Sequence, residues 1–301
     1  MAATGRPEVK AFYDSKTGSI QYVAACPTTK KAVIIDPVWD FDEKAARVCS
    51  TNADEIAGYV KSAGLEVVRI LDTHPHADHF SAAPYLKQKL GAPTAIGEHV
   101  VDVQKLWKKI YNLPDSFDTD GSQWDHLFKD GETFEIGDLE TRVMFSPGHT
   151  PASISYVIGD AAFVHDTLMM PDSGTSRADF PGGNAHALWA SIQRIMALPD
   201  ETRVFVGHDY GRGGRKPAWE STVRQQRENN IHLKGGITEA EFVRLREARD
   251  EELPLPQLML AALQVNIRGG RLPEAEANGV SYLRIQLNQF AGASDVCKSS
   301  E

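Results

Sequence analysis

Thr73-His74-Pro75-His76-Ala77-Asp78-His79 is the stretch on which the reading of this chain turns. Four residues with metal-binding side chains fall within six positions: His74, His76, Asp78 and His79. They follow Glu66-Val67-Val68-Arg69-Ile70-Leu71, an apolar run that predicts a buried strand. Imidazole nitrogens and carboxylate oxygens are donors that zinc, iron and manganese all accept. Alternation along an extended segment sends His74 and His76 to one side. Asp78 and His79 come where the chain turns towards a helix.

Upstream, Ser19 to Ala25 and Lys31 to Pro37 read as strands joined by the turn Pro27-Thr28-Thr29-Lys30. A helix is expected over Asn52 to Ser62, with Gly64 just past its end. Downstream, helices are expected over Ser81 to Leu90, with Pro84 in its first turn, and over Val100 to Tyr111. Thr133 to Ile136 and Glu140 to Phe145 read as paired strands, and Ile154 to Ile158 with Ala161 to His165 as a hairpin across Gly159-Asp160. A long loop, an amphipathic helix over Ala185 to Leu198 and a strand over Arg203 to Val206 follow. Helices are then expected over Trp219 to Ile231 and Glu239 to Asp250, the second opened by a capping box of Thr238 and Glu241. The tail to Leu287 mixes a helix-like stretch with a short terminal strand. This alternation predicts an α/β class with mixed sheets in one unit spanning 1–301, a core over about 10–217 and a helical extension over about 218–301.

The bulk composition narrows function further. The 301 residues are 42% hydrophobic and 24% charged, the range of a water-soluble globular chain. A net charge of -9 argues against nonspecific nucleic-acid binding while leaving room for a local basic pocket. Cys26, Cys49 and Cys297 are too scattered for a disulfide framework or a cysteine metal site. No apolar run reaches the length of a membrane span, and Met1 to Lys10 lacks the apolar region of a signal peptide. A cytoplasmic location without membrane association is the expectation.

Four predicted strands end in metal-binding side chains: His74 to His79, His149, Asp166 and His208. His165 adjoins Asp166 but is expected to point to the opposite face. The series His74-Pro75-His76-Ala77-Asp78-His79, Gly148-His149-Thr150, Asp166-Thr167-Leu168 and Gly207-His208-Asp209 resembles the metallo-β-lactamase superfamily. The resemblance implies an αβ/βα sandwich with metals at the edge between its sheets. Ser173 to Phe180, Gly207-His208-Asp209-Tyr210, Ser221-Thr222-Val223 and Leu263-Gln264-Val265-Asn266-Ile267-Arg268 are similar to the persulfide dioxygenase branch. That branch includes the ethylmalonic-encephalopathy-protein type and the bacterial β-lactamase hydrolase-like proteins.

Carried over residue by residue, the resemblance implies one iron(II) per chain, held by His74, His149 and Asp166, with zinc as a substitute. A two-histidine, one-carboxylate face leaves coordination positions for a substrate atom and for O2. His76, Asp78, His79 and His208 would then orient these ligands or hold a second metal. The implied reaction takes glutathione persulfide and O2 to sulfite and glutathione. Tyr210 would offer a hydroxyl near the iron. Arg177 would position the substrate's thiol end or brace its own loop through Asp179. Arg215, Lys216 and Arg268 are candidates for the glutathione carboxylates. Two departures from the branch fall near the expected cleft: a longer loop between Asp166 and Arg177, and Gly269 where some members have cysteine. The rival reading is a glyoxalase-II-like dinuclear thioesterase, which shares every metal motif. A nuclease and a non-catalytic metal sensor complete the alternatives, and a homodimer is open.

Overall fold

The computed structural model describes residues 5–290, so Cys297 lies outside the described residues. Two six-stranded sheets face each other. The first runs in the order β1 (Glu8–Tyr13), β2 (Ile20–Ala25), β3 (Lys31–Ile35), β6 (Glu66–Leu71), β8 (Thr94–Gly97) and β9 (His126–Phe128). The second runs β10 (Thr133–Ile136), β11 (Leu139–Phe145), β12 (Ile154–Ile158), β13 (Ala161–His165), β14 (Arg203–Val206) and β15 (Glu220–Thr222). A small ribbon of β5 (Arg47–Cys49), β4 (Val38–Asp42) and β7 (Phe80–Ser81) closes one edge.

Alternation along the strands builds the layers. Ile20, Tyr22 and Ala24 of β2, with Val33 and Ile35 of β3, turn inward onto Tyr156, Phe163 and Phe205 of the second sheet. Val23, Ala25, Ala32 and Ile34 turn outward, beneath Ile56 and Val60 of α1 (Thr51–Ser62) and Leu86 of α2 (Ala83–Leu90). The second sheet carries α4 (Ala185–Met196), α5 (Val223–Asn229) and α6 (Glu239–Glu251), whose Leu188, Val223 and Phe242 join the same core. Helices α3 (Val100–Ile110) and α7 (Met259–Asn266) bury Trp107 and Leu263 against Ala77.

The αβ/βα sandwich expected from the sequence is therefore present, and the capping box on α6 forms as expected. Other expectations change. The stretch Trp219 to Ile231 is not all helix: its first part is β15, paired with β14 through Ser221 and Val204, and Thr222 then caps α5. The stretch taken as a helical extension thus contributes an edge strand to the second sheet. The terminal strand does not form among the described residues, and Arg284 is anchored instead by the side chain of Gln264. Strands β5, β8 and β9 are too short for an alternation signal, and pairing with their neighbours makes them strands; β1 and β4 alternate, as in Glu8-Val9-Lys10-Ala11 and Trp39-Asp40-Phe41-Asp42, but are not among the strands expected above. Among the described residues no helix is long and apolar enough to cross a membrane.

Candidate metal centre

The ends of β6, β11, β13 and β14 open onto one rim of the sandwich, and there the sheets bring the histidines together. Donor atoms of His74, His149 and Asp166 all lie within 4.8 Å of one another. So do those of His76, Asp78 and His79, and those of Asp78, Asp166 and His208. The glycines of both Gly-His pairs are needed for this approach. A Cβ on Gly148 would sit 2.3 Å from the backbone of Leu188, at a φ of +139°, and one on Gly207 would sit 2.8 Å from Oδ1 of Asp166.

Hydrogen bonds decide which ring nitrogens face the centre. Thr73 Oγ1 donates to Asp36 Oδ2 at 2.8 Å, so it accepts from His74 Nδ1 at 3.0 Å. His149 Nδ1 donates to the carbonyl of Arg177 at 2.9 Å. Both imidazoles therefore carry their proton on Nδ1 and present a bare Nε2. Those two nitrogens lie 3.8 and 3.6 Å from Asp166 Oδ2. Nε2 of His74 and of His79 and Nδ1 of His76 are buried without any hydrogen-bond partner. Burial of lone pairs costs free energy unless something binds them. A cation between two bare imidazole nitrogens and a carboxylate oxygen meets that need, so the residues present fit a metal ion.

The electrostatics agree with that donor set. Burial, with His76 nearby, holds His74 well below the usual imidazole pKa, and burial likewise lowers His149. Both stay neutral, as metal ligands must. His208 behaves otherwise. It donates Nδ1 to Asp166 Oδ1 and Nε2 to Asp78 Oδ2, each at 2.5 Å. Burial would lower its pKa, but the two carboxylates outweigh burial and raise it well above the usual range. Reciprocally, His208 overcomes the effect of burial on Asp166 and Asp78 and holds both carboxyls low.

Residues given no site role in the sequence reading hold these ligands, Asn266 among them although its motif was quoted above. Asp36, at a φ of +50°, accepts from the backbone and hydroxyl of Thr73 and lies 3.0 Å from His76 Nε2. Asn266 of α7 donates to the carbonyls of His76 and His79 and accepts from the amide of Ser81. Asp72, pushed up to about 6 by burial, holds Ser81 and Trp124. His165 is also nearer than its expected orientation allowed. A register shift at the end of β13 and a φ of +40° bring its ring centroid to 5.0 Å from that of His74. It bonds Ser146 and Thr167 and is not in any donor group. Only the pattern of polar residues flanking the strand ends could have signalled this layer.

The other expected residues separate. Tyr210 is 68% exposed, its ring stacked on His208 at 6.0 Å between centroids. A cavity of about 720 Å³ reaches His149, Asp166 and His208, and Tyr210 and Arg177 line it. Arg177 is fully engaged with Asp179 and the carbonyl of Pro254, so it braces its own loop. Arg215 does not line the cavity, because Asp172 and Asp209 hold it on both sides. Lys216 is exposed and outside the cavity. Arg268 lies over the ring of Phe117 and lines a different cavity, under the C-terminal segment. Arg212, Arg246 and Arg249 line the metal-side cavity in their place.

The model of the metallo-beta-lactamase superfamily matches residues 19–208. A beta-lactamase hydrolase-like protein of Xylella fastidiosa is 64% identical over 287 residues, 95% of this chain and 66% of that protein. The chain thus spans about two thirds of the length of that relative. Glyoxylase B2 of Dictyostelium discoideum is 45% identical over 287 residues, 95% of this chain and 98% of that protein. The mitochondrial persulfide dioxygenase ETHE1 of Bos taurus is 27% identical over 265 residues, 87% and 88% of the two chains. The crystal structure of ETHE1 from Myxococcus xanthus superposes with a TM-score of 0.70 at 28% identity, covering 88% of this chain and all of that one.

Proposed function

This chain belongs to the metallo-beta-lactamase superfamily, and we propose that it is a persulfide dioxygenase that converts glutathione persulfide and O2 to sulfite and glutathione. The observation that carries the reading is the face of two bare imidazole nitrogens and one carboxylate oxygen formed by His74, His149 and Asp166. Iron(II) held there would supply the redox chemistry that activates O2, which no side chain can supply. Similarity to proteins named persulfide dioxygenase ETHE1 supports the same reading.

The chain's own residues orient and bind. His208 holds Oδ1 of Asp166, which leaves Oδ2 for the centre. The Arg177 carbonyl fixes the ring of His149, so the loop that closes the cavity also sets a ligand. Arginines in the cavity wall favour an anionic substrate. In the overall balance, a persulfide anion, O2 and water give the thiol and hydrogen sulfite. The sulfur–sulfur bond breaks, the outer sulfur is oxidised and O2 is reduced. A reducing cytoplasm suits low-molecular-weight persulfides and the free thiols of Cys26 and Cys49.

The second donor set favours one other reading, a dinuclear glutathione thioesterase, with support from the likeness to the protein named Glyoxylase B2. O2 uptake by anaerobically iron-loaded protein on adding glutathione persulfide, with sulfite assayed afterwards, tests the first. No uptake with iron verified in place, and thioester hydrolysis by the zinc-loaded chain, would replace it with the second. His79→Ala adds a check by metal analysis: iron stays near one per chain at a mononuclear centre, whereas loss of half the bound metal reveals a dinuclear one.

A further inference from the structure

We propose that the metal enters the centre through a second, acidic cavity, with Asp78 and His79 as the first point of capture. The inference goes beyond either reaction considered above, since both need a metal in place. This cavity, of about 320 Å³, has Tyr210, Pro256 and Gln257 in common with the arginine-lined one. The rest of its wall comes from the turn after β1, with Asp14 and Lys16, and from β4 with Glu43 just past it. Its charge is opposite in sign. Asp14, Asp40 and Glu43 face a single lysine, Lys16, and none of the three has a lysine or arginine within 4.0 Å among the described residues. Thr17, Asn52 and Gln257 hold them instead, neutral groups that leave the charge in place. The arginine-lined cavity has four guanidinium groups, and those of Arg212 and Arg249 have no carboxylate within 4.0 Å among the described residues. A cleft lined by one sign of charge concentrates ions of the other. Anions are therefore drawn to one mouth and hydrated divalent cations to the other.

The inner end of the acidic cavity is equipped to receive a cation. His79 stands there, 2% exposed, with Nδ1 3.3 Å from Asp78 Oδ2 and Nε2 buried without a partner. Both hydrogen bonds to the Asp78 side chain go to Oδ2, so Oδ1 is available. From this point the donor groups form a chain with shared members. His76, Asp78 and His79 make the first; Asp78 belongs also to the group with Asp166 and His208, and Asp166 to the group with His74 and His149. Within each group the donor atoms lie within 4.8 Å of one another. A cation can exchange its water for protein donors one at a time and pass along the shared carboxylates, so it is never stripped of ligands in a buried site.

Stopped-flow uptake of Co(II) by the full metal-free chain, followed through the visible absorption that cobalt gains on binding imidazole and carboxylate, tests the port without any turnover. Lys16 and Glu43 are exposed and lie outside every donor group, so their charges can be reversed without touching the centre. At low ionic strength Lys16→Glu should speed uptake at least about threefold and Glu43→Lys should slow it by a similar factor, both effects fading as salt rises. Arg249→Glu makes the same change of charge beside the other cavity and should alter the rate less than Lys16→Glu does. Bound cobalt at saturation should match the parent chain in all three variants, which also reports that they are folded. Uptake indifferent to Lys16 and Glu43, or speeded more by Arg249→Glu than by Lys16→Glu, would overturn the port. A lower saturation in Glu43→Lys would overturn it too, because that residue would then act on the site and not on the route.

Discussion

The two walls of the metal-side cavity are built differently. His74, His149, Asp166 and His208 stand one to four residues beyond the ends of β6, β11, β13 and β14, in short turns that start from the paired strands, and a neighbour orients the rings of His74 and His149. The arginine wall comes from the loop after Asp166, the 3-10 turn Arg212–Gly214 and α6, joined by side-chain tethers. Arg246 holds the carbonyl of Thr175, Asp250 holds the amide of Ala178, and His232 accepts from the amide of Thr175. The first wall hangs on short turns that leave the two sheets directly. The second is only as firm as its buried ion pair.

The sharpest test of this contrast removes a donor. Asp166→Ala should abolish iron retention and lower turnover by roughly a thousandfold or more, the scale of losing a group essential at a reacting centre. Metal analysis beside O2 uptake checks it, and a fully active, iron-replete variant would break the ligand assignment. On the tethered wall, Arg246→Met leaves Asp250 buried without its partner, which should cost about 3–5 kcal/mol in denaturant unfolding. Arg246→Met with Asp250→Leu should recover most of that loss; no recovery would mean that the tethers to Thr175 and Ala178 matter more than the charge pair.

The third test uses pH. His232 is held down to about 4, below the ordinary imidazole value, by burial first and then by the charges of Arg246, Arg249 and Arg212, and its Nδ1 accepts from the Thr175 amide. The folded chain therefore takes up this proton later than the unfolded chain. Its stabilising contribution is complete above about pH 6.5 and is lost as pH falls from there towards 4, amounting to about 2–3 kcal/mol. His232→Asn should flatten unfolding free energy across that window, and an unchanged slope would remove His232 from the tether. The smallest effect belongs to the helix that carries Arg246. Thr238→Ala should lower stability by about 1 kcal/mol through loss of the α6 cap, leaving iron content as it was.

The metal-donor wall was largely legible in the sequence. Histidines and aspartates following apolar runs, each after a turn or glycine, mark strand ends that converge, and His74, His149, Asp166 and His208 do converge. The arginine wall was not. Arg215 and Arg212 stand three residues apart in one glycine-rich loop, and nothing local distinguishes the one that Asp172 and Asp209 neutralise from the one that faces the cavity. Arg268 follows Asn266 in a motif of the expected kind, yet the turn after α7 carries it to the far side, over Phe117. Asn266 itself reaches the metal loop across nearly two hundred residues, a pairing that local pattern cannot express.

By itself, the sequence determined an α/β class and the histidines and aspartates at its strand ends, because hydrophobic alternation and strand-end chemistry are local properties of the chain, and its motifs, through their resemblance to the superfamily, implied the αβ/βα sandwich. Tertiary structure alone decided which nitrogen of each histidine is bare, which arginines remain uncompensated and which residues brace the site. Those outcomes depend on whether a partner lies within hydrogen-bonding reach, and in this fold the partners come from distant segments.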